Sequence, residues 1–176
     1  YDIDKNSYSL KKIDTKFNDI KIISPFIEIE NKKDSIFVNG LVSSGKKIFE
    51  MDEFKPIFSN LLNNIDIRKI EFSSKNNFSF NLNKKLKFNN LEVDTVIDLN
   101  QLILNEKNLK LKSYFPNFVN EIKLENHKIV INYSKNKFDI KGSGNILLED
   151  VLDNLSYQII EDDNNLSFDS KINLKN

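Results

Sequence analysis

The sequence predicts a mainly β protein, a succession of antiparallel strands sharing one apolar face, broken by one short amphipathic helix near residues 52–63. Two observations predict the strands. The first is the alternation of apolar and polar residues, clearest from His127 to Leu174. There Ile129, Ile131 and Tyr133, then Phe138 and Ile140, Ile146 and Leu148, and Leu155, Tyr157 and Ile159 take every second place. Leu166 and Phe168, and Ile172 and Leu174, complete the series. Strict alternation sends one set of side chains to each face of a strand. The second observation is the turn-forming residues between these runs: Ser134–Asn136, Gly142–Asn145, Asp153-Asn154 and Asp162–Asn165. The helix is predicted by a change of period. Phe54, Ile57, Phe58, Leu61 and Leu62 form a stripe at helical spacing.

Taken in order, Tyr8, Leu10, Ile13, Thr15 and Phe17 form a first strand whose phase shifts between Leu10 and Ile13. Ile20, Ile22, Ile27 and Ile29 continue the pattern across Ser24-Pro25. Proline has no N–H for the ladder, so Pro25 marks a bulge, a break or an edge position. Ile36–Val42 is the next run, with Asn39-Gly40 as a turn or glycine bulge, and Ser43-Ser44-Gly45 punctuates before Ile48 and Phe49. For the helix, Asp52 is a suitable N-cap, Pro56 falls in the first turn, and Asn63-Asn64 ends the run. It either caps an open sheet or docks a partner. Runs then follow at Ile65 and Ile67, Ile70 and Phe72, Phe78 to Leu82, Leu86 and Phe88, Leu91 to Leu99, and Leu102 to Leu111. Strands at spacings near those of a meander are expected, and one domain spanning 1–176.

Composition narrows the function. The 26 basic and 26 acidic residues cancel and are interspersed, and every basic residue but Arg68 is lysine. Nucleic-acid binding needs a basic excess on one face, so none is expected. Hydrophobic residues make up 39%, including 14 Phe, enough to cover one face of a long sheet but lean for two packed faces. With no cysteine there is no disulfide, thiolate chemistry or Cys-ligated zinc. No apolar run approaches the roughly 20 residues of a membrane span. The chain begins at Tyr1 rather than Met, and is expected to be a piece of a longer protein.

Reactive groups are sparse. His127 is the one histidine; no partner spacing supports a general base, and a solvated or capping role at a strand start is expected. Glu149-Asp150 with Asp153, and Glu161-Asp162-Asp163, lack the spacing of a calcium loop and read as solvated turns. Gly142-Ser143-Gly144 lacks the lysine and the following helix of a phosphate loop, so a bulge or a close backbone approach is expected. Four Asn-X-Ser sequons (at Asn77, Asn132, Asn154 and Asn165) carry little weight in so Asn-rich a chain. No catalytic residue, cofactor or metal site is expected.

The order of features (strands, helix, strands, Tyr114-Phe115-Pro116, the run NHKIVINYSKNKFDIKGSGNILLEDVLDNLSYQII and the closing LSFDSKINL) resembles the AsmA-like proteins of Gram-negative bacteria, in particular the central region of YhdP-type members. The resemblance covers most of the chain and is strongest from Tyr114 to Leu174. It implies a long, curved, incompletely closed antiparallel sheet, taco-like, forming one segment of a bridge-like phospholipid transporter. The parent would be anchored in the inner membrane outside this segment and would span the periplasm. Its partners would be phospholipids and neighbouring β-segments of the same chain. Candidates for the groove lining are Phe78, Phe80, Leu91, Val93, Ile97, Ile129, Ile131, Phe138, Ile140, Ile146 and Leu148. A one-residue error of register would invert any strand. The alternative is a structural or interaction β-domain with a closed core and no lipid ligand.

Overall fold

The computed structural model describes residues 6–17, 19–50, 66–105, 111–149, 151–162 and 165–175; the helix predicted near 52–63 lies outside the described residues. The strands are β1 (Ser7–Phe17), β2 (Ile20–Asn31), β3 (Ser35–Glu50), β4 (Asp66–Asn83) and β5 (Phe88–Asn105), then β6 (Glu121–Ser134), β7 (Lys137–Leu147), β8 (Leu152–Asp162) and β9 (Asn165–Asn173). They form one antiparallel sheet in sequence order, with β1 and β9 at opposite edges, so the sheet is open. A 3-10 turn at Leu111–Ser113 lies between β5 and β6.

Hairpin chemistry explains the meander. Lys135 and Asn136 both have left-handed φ (49° and 63°) and join Ser134 to its partner Lys137, as a two-residue primed turn requires. Asp162 pairs with Asn165 across the next predicted turn. Two other predicted turns lie inside strands. Asp153-Asn154 sits in β8 opposite Ile146 and Asn145, because the chain reverses earlier, between the paired Leu147 and Leu152. Asp153 is buried, not solvated, and its carboxylate accepts the Lys175 N–H at 2.8 Å. Gly142–Asn145 likewise belongs to β7. Asn39-Gly40 is regular β3, with Gly40 between Ile27 and Phe78 and a Cβ there meeting the Phe78 ring at 2.9 Å.

The strands run longer than the alternation implies. The runs ending at Phe72 and starting at Phe78 are one 18-residue strand, β4. The polar stretch between them stays in the sheet because its side chains find partners across the ladder: Ser44 Oγ lies 3.0 Å from Ser74 Oγ, and Thr95 donates to Asn76 Oδ1 at 2.9 Å.

Bulges cross the sheet near one line. Register shifts occur at Ser24-Pro25 in β2, at Gly45-Lys46 in β3, between Leu99 and Gln101 in β5, and at Asn126-His127 in β6. Asn126 takes left-handed φ, 53°, and so does Lys12, 54°, where the phase of β1 changes beside Pro25. Each bulge bends its strand and adds twist, so together they crease the sheet.

One end is capped by the chain itself. Phe118, 2% exposed, packs on Ile146 and Leu148, with Phe115, Ile122, Leu124 and Leu155 around them. Glu149 fixes the capping loop by accepting the Asn117 N–H at 2.8 Å. Among the described residues no second sheet lies over the first.

Candidate functional site: the apolar face

Residues directly opposite in a ladder share a face, so the register settles which side chains lie together. One transverse row is Phe78, Val93, Tyr133 and Phe138 on β4 to β7. The next is Thr95, Ile131, Ile140, Ile159 and Phe168 on β5 to β9. A third runs from Ile97 through Ile129 and Gly142 to Tyr157. Two-residue spacing puts these rows on the same side. Phe80 joins them, its ring 6.0 Å from Phe78 and 4.9 Å from Phe88, and Leu91 stands two places before Val93 on the same side.

Ten of the eleven candidates thus share one face, and Leu148, just past β7, meets it through Phe118. Ile146 and Leu148 are already covered by that ring, so they belong to the chain's own core. The others are half-buried, and Leu91 is exposed. Sequence reasoning missed Val38, Phe49, Phe72, Leu99 and Leu124, which the register adds to this face. Their signal was alternation, but the bulges between them and the neighbouring runs change its phase.

The face is not uniformly apolar. Ser44, Ser74, Asn76 and Thr95 form a hydrogen-bonded patch on β3 to β5. Farther across, His127 is only 2% exposed, contrary to the solvated role expected for it. Its ring lies over Gly144 and that of Tyr157 over Gly142, the two rings 6.0 Å apart; any Cβ on either glycine would overlap a ring. The glycine pair is thus a close approach of rings to backbone, as expected, although it is no turn.

His127 Nε2 lies 2.9 Å from the Asn145 carbonyl, which only accepts, so Nε2 carries the proton and Nδ1 is left with a bare, buried lone pair. Burial lowers the His127 pKa, partly offset by the Asn145 bond, and burial raises that of Tyr157. A histidine whose folded pKa lies below its unfolded value of about 6.5 takes up its proton preferentially when unfolded. Stability is therefore full above pH 6.5 and declines as the pH falls toward the lower folded value. Thermal melts from pH 7.5 to 5 should show this decline, and His127→Phe should remove that part of the slope. An unchanged slope in the variant would assign it to other groups.

The opposite face mixes polar rows with aliphatics such as Leu41, Val96 and Val130. Lys128, Ser143, Ser156 and Lys171 form one row there, and with Lys141, Gln158 and Asp169 they border a shallow cavity of about 430 Å³. Among the described residues no group of three or more His, Asp or Glu is placed to hold a metal ion. Comparison of the chain with family models, with curated proteins and with solved structures gave no match.

Proposed function

We propose that this chain is a segment of a bridge-like phospholipid transport protein, binding acyl chains along its apolar face in the periplasm between inner and outer membrane. The observation that carries the reading is the register, which gathers ten of the eleven candidate aliphatics and phenylalanines onto one side of an open sheet. The row from Thr95 to Phe168 crosses five strands, about 19 Å at ordinary strand spacing. Exposed apolar surface on that scale marks a binding site. Burying each methylene is worth about 0.8 kcal/mol, so some fifteen contribute on the order of 10 kcal/mol, similar to what they lose on leaving a bilayer. Movement along the face then runs close to balance. The same chemistry needs no catalytic group, and the parent's inner-membrane anchor and neighbouring β-segments lie outside the sheet described.

The test is native mass spectrometry after expression in a Gram-negative host. Phospholipid-sized adducts are expected, and photo-crosslinkers at Val93 or Ile131 should capture them. A second reading, an interaction module with a closed core, is favoured locally by Phe118, which already seals one end of the face. A monodisperse chain with no adduct and no capture from Val93 or Ile131 would establish that reading instead.

A further inference from the structure

The transverse row through Thr95 is itself amphiphilic. On β3 it is Val42 and on β4 and β5 Asn76 and Thr95, with Ser44 and Ser74 in the next row; on β6 to β9 it continues as Ile131, Ile140, Ile159 and Phe168. The polar part is a network of uncharged groups. Asn76 Nδ2 spends its two hydrogens on the Val42 carbonyl at 3.1 Å and on Ser74 Oγ at 3.0 Å. Thr95 donates to Asn76 Oδ1, and the Ser74 N–H donates to Ser44 Oγ at 2.9 Å. Ser44 and Ser74 share one hydrogen bond but own two hydroxyl hydrogens. Whichever of them donates, one O–H is left over. Thr95 Oγ1, having given its hydrogen away, keeps free lone pairs.

A surplus hydroxyl hydrogen on a face covered by hydrocarbon is costly unless it finds an acceptor. Resting on the acyl-chain reading above, we infer that the ligand is an ester-linked lipid lying across the strands, its ester carbonyl on the spare Ser44/Ser74 hydroxyl and its tail along Ile131, Ile140, Ile159 and Phe168. An ester carbonyl matches the four network side chains, none of which is charged; the cation in the next row, Lys47, stands opposite Phe72 with its ammonium over the Phe49 ring, 4.8 Å from the centroid. The tail's direction follows from the row, polar at Asn76 and Thr95 on β4 and β5 and apolar from β6 onward.

The experiment compares two probes of equal carbon number, methyl palmitate and heptadecane, by displacement of a fluorescent acyl probe. The native chain should prefer the ester by about fivefold, the worth of one hydrogen bond. The double variant Ser44→Ala with Ser74→Ala should bind both equally while keeping its affinity for heptadecane. Isotope-edited nuclear Overhauser contacts on the unmodified chain give a second measurement, needed if that variant does not fold. They should place the ester methyl near Thr95 and the far end of the tail near Phe168. Binding with no ester preference, or with head and tail reversed, overturns this inference alone. If neither probe binds the native chain, the lipid reading fails and this inference with it.

Discussion

Replacing Ile131 by glutamate is expected to abolish acyl-chain binding while leaving the sheet folded. Ile131 is half-buried, with Thr95 and Ile140 beside it in the row and no strand above it among the described residues. Without ligand, the new carboxylate can reach water, so the loss of stability should stay near 1 kcal/mol or below, as for changes at open sites. With a tail laid over it, the carboxylate must be desolvated without a partner, which costs several kcal/mol and lowers affinity by about a hundredfold or more. The paired measurement is adduct formation by native mass spectrometry and a urea melt. Loss of adduct with a near-native midpoint supports an open face. Collapse of the midpoint by several kcal/mol would mean that Ile131 is sealed inside a closed core, and the transport reading would fall. Ile140→Glu, one strand over, should behave the same way.

The second large effect is structural. Phe118→Ala should cost about 3–5 kcal/mol, the usual penalty for emptying a buried phenylalanine site. It should lower the melting temperature by roughly 10 °C in a chain of this size. The ring is the buried one of the two phenylalanines, Phe115 and Phe118, that the loop before β6 contributes to the cluster with Ile146 and Leu148, and its removal opens that end of the face. Hydrogen exchange should accelerate at the Leu124–Ile146 pairing and much less at Tyr133–Phe138, at the other end of the same strands. Uniform acceleration would mean that the sheet melts as one unit and the cap has no local role.

Much of the fold was legible because alternation is a local property. The strand character of the runs 129–133, 138–140, 155–159 and 166–168, the Ser134–Asn136 turn and the irregularity at Pro25 follow from neighbours in sequence and are found as expected. What was not legible depends on partners far along the chain. Ser74 and Asn76 looked like a break and are strand, because Ser44 and Thr95 meet them from β3 and β5. Gly142 and Gly144 looked like a turn, yet they are strand residues whose missing side chains make room for Tyr157 and His127. Asp153 looked solvated until the chain end came back to it. The candidate face was legible strand by strand, but bulges such as the one at Asn126-His127 reset the alternation, so residues beyond them could not be assigned by counting.

The outer edge of β9, which no strand pairs with among the described residues, carries a last consequence. Leu166, Phe168 and Ile172 stand exposed there, and the edge amides offer a template for one more antiparallel strand. Such a newcomer has two ways to dock, one residue apart. In one, its aliphatics extend the greasy track beyond Phe168 by about 5 Å; in the other, its hydrophilic side is turned toward the track and the path for a tail ends there. Continuity past this border is a matter of parity, set by a single hydrogen-bond step.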